Sequence, residues 1–204
     1  MPCSDLVPFP CRLPASVLHC VLTLALLSVP VARGDSWQSR APVPGARAAH
    51  SVVWTGREAI VWGGGVDGNF LNTGARYSPS TDTWRATATD YAPSPRWFQA
   101  AVWTGSEMIV WGGRASFEGN GNFNDGGRYN PASDAWLPMS GVGAPAPRSQ
   151  CVAVWTGEEM IIWGGETEGG VPLADGAAYN PDSDTWRSIN SNSGLAPRME
   201  PTAV

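Results

Sequence analysis

The sequence predicts an all-β protein, a β-propeller with three complete four-stranded blades and partial strands at both ends. Three stretches align without a gap, and each ends in a Trp and a pair of glycines: Arg47–Gly64, Arg96–Gly113 and Arg148–Gly165. Their starts lie 49 and then 52 residues apart, and Arg198 opens a fourth unit 50 residues later. A repeat of this length is typical of a supersecondary unit that buries its apolar face only by stacking on copies of itself.

Each unit carries the signals of four short strands. Runs rich in β-branched and aromatic residues, Ser51–Trp54 and Ile60–Trp62 in the first unit, flank a Thr-Gly pair, which predicts two strands joined by a tight turn. Further on, Tyr77 and Trp84 stand seven residues apart with Pro and Asp between them, which favours a second pair of strands. No long segment has the period of a helix. Four strands in about fifty residues fit a propeller blade.

The residues that recur in every unit are interpreted as structural. Ten of the eleven tryptophans fall at repeated positions, and an Arg opens each unit. Large aromatic side chains bury much area, so we expect these tryptophans to pack adjacent blades together. The repeated Arg is expected to hold the blade rather than to act once as a catalyst.

The double glycines, followed by Tyr and Trp at a fixed distance, resemble the kelch repeat over residues 36–204. The resemblance implies a kelch-type propeller in residues 35–204, and kelch-like propellers often close with an N-terminal strand. Three units are too few for a ring of four to eight blades, so the sequence is expected to be the front part of a longer protein. The implied division is 35–46 closing strand, 47–95 repeat 1, 96–147 repeat 2, 148–197 repeat 3 and 198–204 the start of repeat 4.

Residues 1–34 predict an export signal. Arg12 precedes the apolar run Val17–Val29, and small residues lead up to Gly34, after which cleavage is expected. The run is short and interrupted for a membrane anchor, although an uncleaved anchor stays open as the alternative. The sequence therefore predicts a secreted or periplasmic protein with no membrane contact beyond the export signal.

Composition argues against several classes of function. All 13 basic residues are Arg, against 18 acidic residues, and they form no basic run, so nucleic acid is not an expected partner. Beyond residue 34 the chain has one cysteine, Cys151, and one histidine, His50. A disulfide, a histidine-based metal site or a histidine-based triad is therefore not predicted. The sequence predicts no cofactor, no metal and no catalytic residue.

The loops that follow the glycine pairs are the candidate ligand-binding region. All length differences between the units fall there, in Gly65–Arg76, Arg114–Arg128 and Glu166–Ala178 with 12, 15 and 13 residues. Insertions in repeat proteins tend to collect on the binding face. Their amides, their carboxylates and Arg114 suit hydrogen bonds to a polar ligand such as a sugar, although soluble turns would look the same. The candidates are Asp67, Asn69, Arg114, Glu118, Asn120, Asn124 and Glu166.

Trp97 is the tryptophan that stands outside the repeated positions. It follows Arg96, where the first and third units have Ala48 and Ser149. Together with Phe98 it is the best candidate for a platform on which a ligand stacks, and additional packing between blades is the alternative.

Two functions remain open from the sequence. The strict repeat and the absence of a catalytic constellation favour an exported scaffold that binds a protein or a carbohydrate. The alternative is a sugar-acting enzyme, because the kelch-like family includes mutarotases and carbohydrate oxidases. Such an enzyme would have part of its active site in blades that this sequence lacks. One architecture hosts many functions, so the fold does not decide between the two.

Overall fold

The computed structural model describes residues 45–116, 121–189 and 194–202. All of them lie within the compact unit Ser39–Val204. The described residues form fourteen strands and no helix. Within them, no helix is long and apolar enough to cross a membrane.

The strands form three four-stranded antiparallel sheets, one per repeat, which confirms the predicted all-β fold made of blades. The first blade has the order β1 (Ser51–Trp54), β2 (Ala59–Trp62), β5 (Gly74–Ser78) and β6 (Thr83–Ala86). The second has β7 (Ala100–Trp103), β8 (Met108–Trp111), β9 (Gly126–Asn130) and β10 (Ala135–Pro138). The third has β11 (Val152–Trp155), β12 (Met160–Trp163), β13 (Gly176–Asn180) and β14 (Thr185–Ser188). A small sheet pairs β3 (Gly65–Val66) with β4 (Asn69–Phe70).

Antiparallel pairing gives each blade two different ends. The tight turns after the first and third strands share one end, which we call the turn face, and the longer loops between the second and third strands lie at the other end, the loop face. The Thr of each Thr-Gly pair closes the first turn. Thr55 Oγ1 accepts a hydrogen bond from the Glu58 N–H at 2.9 Å, and Thr104 and Thr156 repeat this contact at 3.0 Å.

The first strands of neighbouring blades lie side by side. β1 contacts β7, and β7 contacts β11. Just before these strands, the Phe98 N–H donates to the Ala49 carbonyl at 3.0 Å, and the Gln150 N–H donates to the Phe98 carbonyl at 3.1 Å. The first strands therefore form the inner edge of the blades, and β6, β10 and β14 form the outer edge.

The core lies between the blades. Val53, Ile60 and Trp62 of the first blade pack against Met108, Val110, Tyr129 and Trp136 of the second. The next interface repeats the pattern, and the Trp pairs Trp62–Trp136 and Trp111–Trp186 place their ring centroids 5.2 and 5.4 Å apart. The half-buried Trp103 and Trp155 also pack against the cores of these two interfaces. The expectation that the repeated tryptophans pack between blades is wrong for Trp54, which is 54% exposed, because the described residues place no blade against that side of β1.

The Tyr and Trp landmarks tie each blade to the one before it. Tyr129 donates its hydroxyl hydrogen to Asp134 Oδ1 at 2.6 Å, and the same carboxylate oxygen accepts the Ala88 N–H of the first blade at 3.0 Å. Trp136 Nε1 donates to the Ala88 carbonyl at 3.0 Å. These hydrogen bonds hold the pKa of Asp134 below its usual range, with the Tyr129 hydroxyl as the largest cause. The third blade repeats the arrangement with Tyr179, Asp184 and Trp186.

The predicted partial strands fall largely outside the described residues. Of the closing strand expected at 35–46, residues 45 and 46 are described, and neither is in a strand. At the other end, the Arg198 carbonyl accepts the Gly165 N–H at 3.0 Å, as the Arg148 carbonyl accepts the Gly113 N–H at 2.9 Å. In the three blades the first strand begins four residues after the Arg, and here that position is Thr202, the last described residue.

Candidate functional site

Each repeated Arg is the hub of its own blade at the loop face. Arg96 Nη1 donates to the carbonyls of Gly112 and Asp125 at 3.0 and 3.1 Å, and its Nε donates to the Ser94 carbonyl at 2.9 Å. Arg96 and Arg148 are fully buried. Burial lowers the pKa of Arg96, and the neighbouring Asp125 carboxylate, 2.8 Å away, opposes that shift. The structural interpretation of these residues agrees with their contacts, since one buried guanidinium joins the end of the second strand, the following loop and the preceding linker.

The residue after each Arg pairs with the residue after each glycine pair. These backbone bridges join Ala48 to Gly65, Trp97 to Arg114 and Ser149 to Glu166. For these bridges to form, the second glycine of each pair must lie close to the backbone of the residue that follows the Arg. A Cβ on Gly64, which has φ +83°, would lie 2.5 Å from the Ala48 carbonyl oxygen. Equivalent bridges thus carry small residues in the first blade, an aromatic and a cation in the second, and a hydroxyl and an anion in the third.

A pocket of about 380 Å³ opens on the loop face where the first blade meets Trp97. Ala48 and Gly65 leave space at the positions that large side chains occupy in the second blade. The residues that line it are Ala46, Arg47, Ala48, Gly65, Val66, Asp67, Gly68, Asn69, Phe70 and Trp97. Trp97 comes from the second blade and the others from the first, so the pocket depends on how the two blades dock.

Two aromatic rings form a corner of this pocket. The Phe70 and Trp97 ring centroids lie 5.2 Å apart with an interplanar angle of 64°, an edge-to-face arrangement. Asp67 occupies the tip of the β3–β4 hairpin with φ +49°, and Asn69 begins the returning strand. The rings offer an apolar surface, and the carboxylate and amide supply hydrogen-bonding groups beside it.

Arg114 and Glu166 lock the second blade to the third. Arg114 Nη1 lies 3.2 Å from Glu166 Oε1, and Glu166 is a buried carboxylate, 6% exposed. The Ser149 hydroxyl donates to the same oxygen at 3.3 Å. The Arg114 guanidinium also lies over the rings of Trp97 and Phe98, at 5.2 and 5.1 Å from their centroids. These contacts fix the orientation of Trp97 from the side away from the pocket.

The structure groups the residues predicted from sequence into two sets. Asp67, Asn69 and Trp97 line the same pocket. Phe98, Arg114 and Glu166 form the adjacent network that supports Trp97. Asn124 is exposed and lines none of the described pockets. Glu118 and Asn120 lie outside the described residues.

Sequence reasoning missed Phe70 and Arg47 as pocket residues. Phe70 is a large apolar side chain within a polar loop, which is a signal that could have identified it. The sequence predicts a structural role for Arg47, and its Nη1 donates to the carbonyls of Gly63 and Thr73 at 3.1 and 2.7 Å. It therefore holds the first blade and borders the pocket at the same time.

Metal and thiol chemistry find little support in the described part of the chain. No group of three or more His, Cys, Asp or Glu side chains there is placed to hold a metal ion. Burial raises the pKa of the Cys151 thiol to about 12, so the thiol stays protonated near neutral pH and is a poor nucleophile.

Residues 23–204 match the family model described as the KLHDC2/KLHL20/DRC7 Kelch-repeats domain. No curated protein matches the chain. Because the match covers most of the chain, and because the repeated Arg, glycine pair, Tyr and Trp build the blades described above, the chain belongs to the kelch-repeat family.

Proposed function

We propose that this protein is an exported binding scaffold whose partner contacts the Trp97 pocket on the loop face. Kelch repeats suggest a protein-interaction scaffold. The observation that carries the proposal is the convergence of Asp67, Asn69 and Trp97, from two blades, on one pocket. Loops positioned by a rigid scaffold are where binding residues concentrate.

The chemistry of the pocket suits a side chain of a protein partner. A half-buried Trp beside a Phe gives a rigid apolar anchor site, and the Arg114 network holds the indole in place. Aromatic anchors in desolvated pockets carry much of the energy at protein interfaces. The Asp67 carboxylate and the Asn69 amide supply directional contacts at the rim, as in interfaces with a polar border.

A carbohydrate is the second candidate ligand. A sugar ring stacks on an indole face, and the Asp67 carboxylate and Asn69 amide match its hydroxyl groups. A sugar-acting enzyme would further require a general acid or base at this site, and Asp67 is the carboxylate that lines the pocket. Glu166, a ligand-binding candidate from the sequence, is paired with Arg114.

Replacing Trp97 with Ala should weaken ligand binding about 30-fold, the loss that corresponds to about 2 kcal/mol at an interface hot spot. Peptides selected from a displayed random library against the wild-type protein, and an oligosaccharide array, supply the probes. Trp54→Ala is the matched control, because Trp54 is 54% exposed and stands at the turn face. Selected ligands that bind Trp97→Ala as tightly as wild type would contradict the assignment, and hits on the array alone would favour the sugar.

If the predicted export signal is cleaved after Gly34, the mature protein begins at Asp35. The full chain with its own N-terminus should be recovered outside the cytoplasm, and sequencing of its N-terminus should start after Gly34. The kelch match begins at residue 23, inside the predicted signal, so this measurement also shows where the propeller starts. Retention of residues 1–34 in a membrane fraction would support the anchor instead, and a cytoplasmic protein would contradict export.

A further inference from the structure

The turn face carries two equivalent clefts between adjacent blades. In each, the wall is the Trp that ends a first strand, Trp103 or Trp155, and the floor is an Arg of the third strand, Arg76 or Arg128. Each Arg donates Nη1 to a Pro carbonyl of the next blade. The clefts have volumes of about 490 and 380 Å³. Since they share one architecture, the differences between them point to what each could bind.

The Arg on the floor of the first cleft has a longer ion pair than its equivalent in the second cleft. Arg128 Nε lies 3.2 Å from the Glu107 carboxylate. In the first blade, the nearest approach of Glu58 to Arg76 is 3.9 Å, at Nη1. Among the described residues, the buried Nε atoms of Arg76 and Arg128 both lack a hydrogen bond, but only that of Arg128 has a carboxylate beside it. A buried donor without a partner is unfavourable, and a ligand that accepts its hydrogen bond would remove that cost.

The two clefts also differ in charge. The first has Arg57 and Arg76 against Glu58, which gives a net charge of +1. In the second, Ser106 takes the place of Arg57, and Glu158 and Asp182 appear where the first cleft has Ser106 and Ala132. With Glu107 and Arg128, its net charge is −2. No hydrogen bond or ion pair of the Arg57 guanidinium is found among the described residues. The first cleft therefore differs from the second in its net positive charge, in the unpaired Arg57 guanidinium, and in an Arg76 that no described carboxylate approaches closer than 3.9 Å.

We propose that the first turn-face cleft binds the carboxylate of a Glu or Asp side chain in an acidic segment of a protein partner. Guanidinium groups bind carboxylates through paired, charge-assisted hydrogen bonds, and Arg76 and Arg57 supply the donors. The hydroxyls of Ser78 and Ser80, whose Oγ atoms lie 3.0 Å apart, line the same cleft, and Trp103 offers a face for the aliphatic part of the side chain. This site lies at the opposite end of the blades from the Trp97 pocket, so the proposal does not depend on whether that pocket binds a ligand.

The test is an NMR titration of the full chain with N-acetylglutamate N-methylamide, followed through the arginine Nε–H and tryptophan indole signals. We expect saturable shifts at Arg57, Arg76 and Trp103, and none at Arg128 and Trp155 of the second cleft. Arg57→Gln should weaken binding about tenfold. Glu158→Gln, in the second cleft, is the matched control and should leave binding unchanged. The amide spectrum of each variant reports whether it is folded.

Three outcomes would overturn the proposal. One is the absence of saturable shifts at Arg76 and Trp103. Another is an equal response in both clefts, or an equal response to the uncharged N-acetylglutamine N-methylamide, which would show general surface binding. The third is saturable binding of inorganic phosphate without binding of the carboxylate, which would assign the cleft to a phosphoryl group instead.

Discussion

Arg148→Met is expected to lower the free energy of unfolding by about 3–5 kcal/mol. Arg148 is fully buried, and its Nη1 donates to the carbonyls of Gly164 and Asp175, both at 3.1 Å. Its Nε donates to the Ala146 carbonyl at 3.1 Å, and Nη2 lies 3.0 Å from Asp175 Oδ2. Met fills part of the volume but donates nothing. The carbonyls of Gly164 and Ala146 would lose this donor, while that of Asp175 would keep the Gly164 N–H at 3.0 Å, and a buried acceptor left unpaired costs about 1–3 kcal/mol.

Urea unfolding followed by tryptophan fluorescence measures this loss. Arg148→Lys should recover only part of it, because an ammonium group lacks the planar fork that reaches several carbonyls at once. Arg85→Gln is the control, since Arg85 is an exposed residue of β6, and its effect should stay within about 0.5 kcal/mol. If Arg148→Met unfolded at the same urea concentration as wild type, the Arg would not be the hub of the blade.

The blades could be predicted because their signals are local and recur in register. The Thr-Gly turn, the glycine pair and the Tyr–Trp distance each mark one connection of the four-stranded sheet, and the structure has these connections in all three repeats. The exposure of Trp54 could not be predicted. Trp103 and Trp155 pack against the preceding blade, but the described residues place no blade on that side of β1, so Val52 and Trp54 are exposed there while Val53 is buried.

Several residues of the pocket could be predicted from the sequence, but their spatial arrangement could not. The variation in loop length identified Asp67 and Asn69, and the break in the repeat pattern identified Trp97. Their convergence depends on the docking of two blades, which the Arg96 carbonyl fixes by accepting the Gly64 N–H at 2.8 Å. Contacts between blades join residues that are far apart in the sequence, so local sequence patterns do not predict them. The pairing of Arg114 with Glu166, 52 residues apart, could not be foreseen for the same reason, and it gives both residues a supporting role beside the pocket.

The glycine that begins each third strand should tolerate no side chain. A Cβ on Gly126 would lie 2.1 Å from the Val110 carbonyl oxygen and 3.0 Å from Met139 Sδ. The carbonyl belongs to β8, which pairs with β9 along its whole length, so it cannot withdraw without breaking the ladder. We therefore expect Gly126→Ala to destabilise the protein by about 3 kcal/mol or more. Gly176→Ala should behave alike, because its Cβ would also lie 2.1 Å from a carbonyl oxygen, that of Ile162.

Gly141→Ala separates steric exclusion from the general effect of replacing a glycine. A Cβ on Gly141 would meet no atom within 4 Å, and the backbone there lies outside the left-handed region. Ala restricts the unfolded chain, so this variant should be neutral or more stable by up to about 1 kcal/mol in the same urea experiment. Similar midpoints for Gly126→Ala and Gly141→Ala would mean that the second and third strands can separate locally, and that the glycine is not what permits their close pairing. A large loss confined to Gly126 and Gly176 would show that close contact at this point is a requirement of the blade itself.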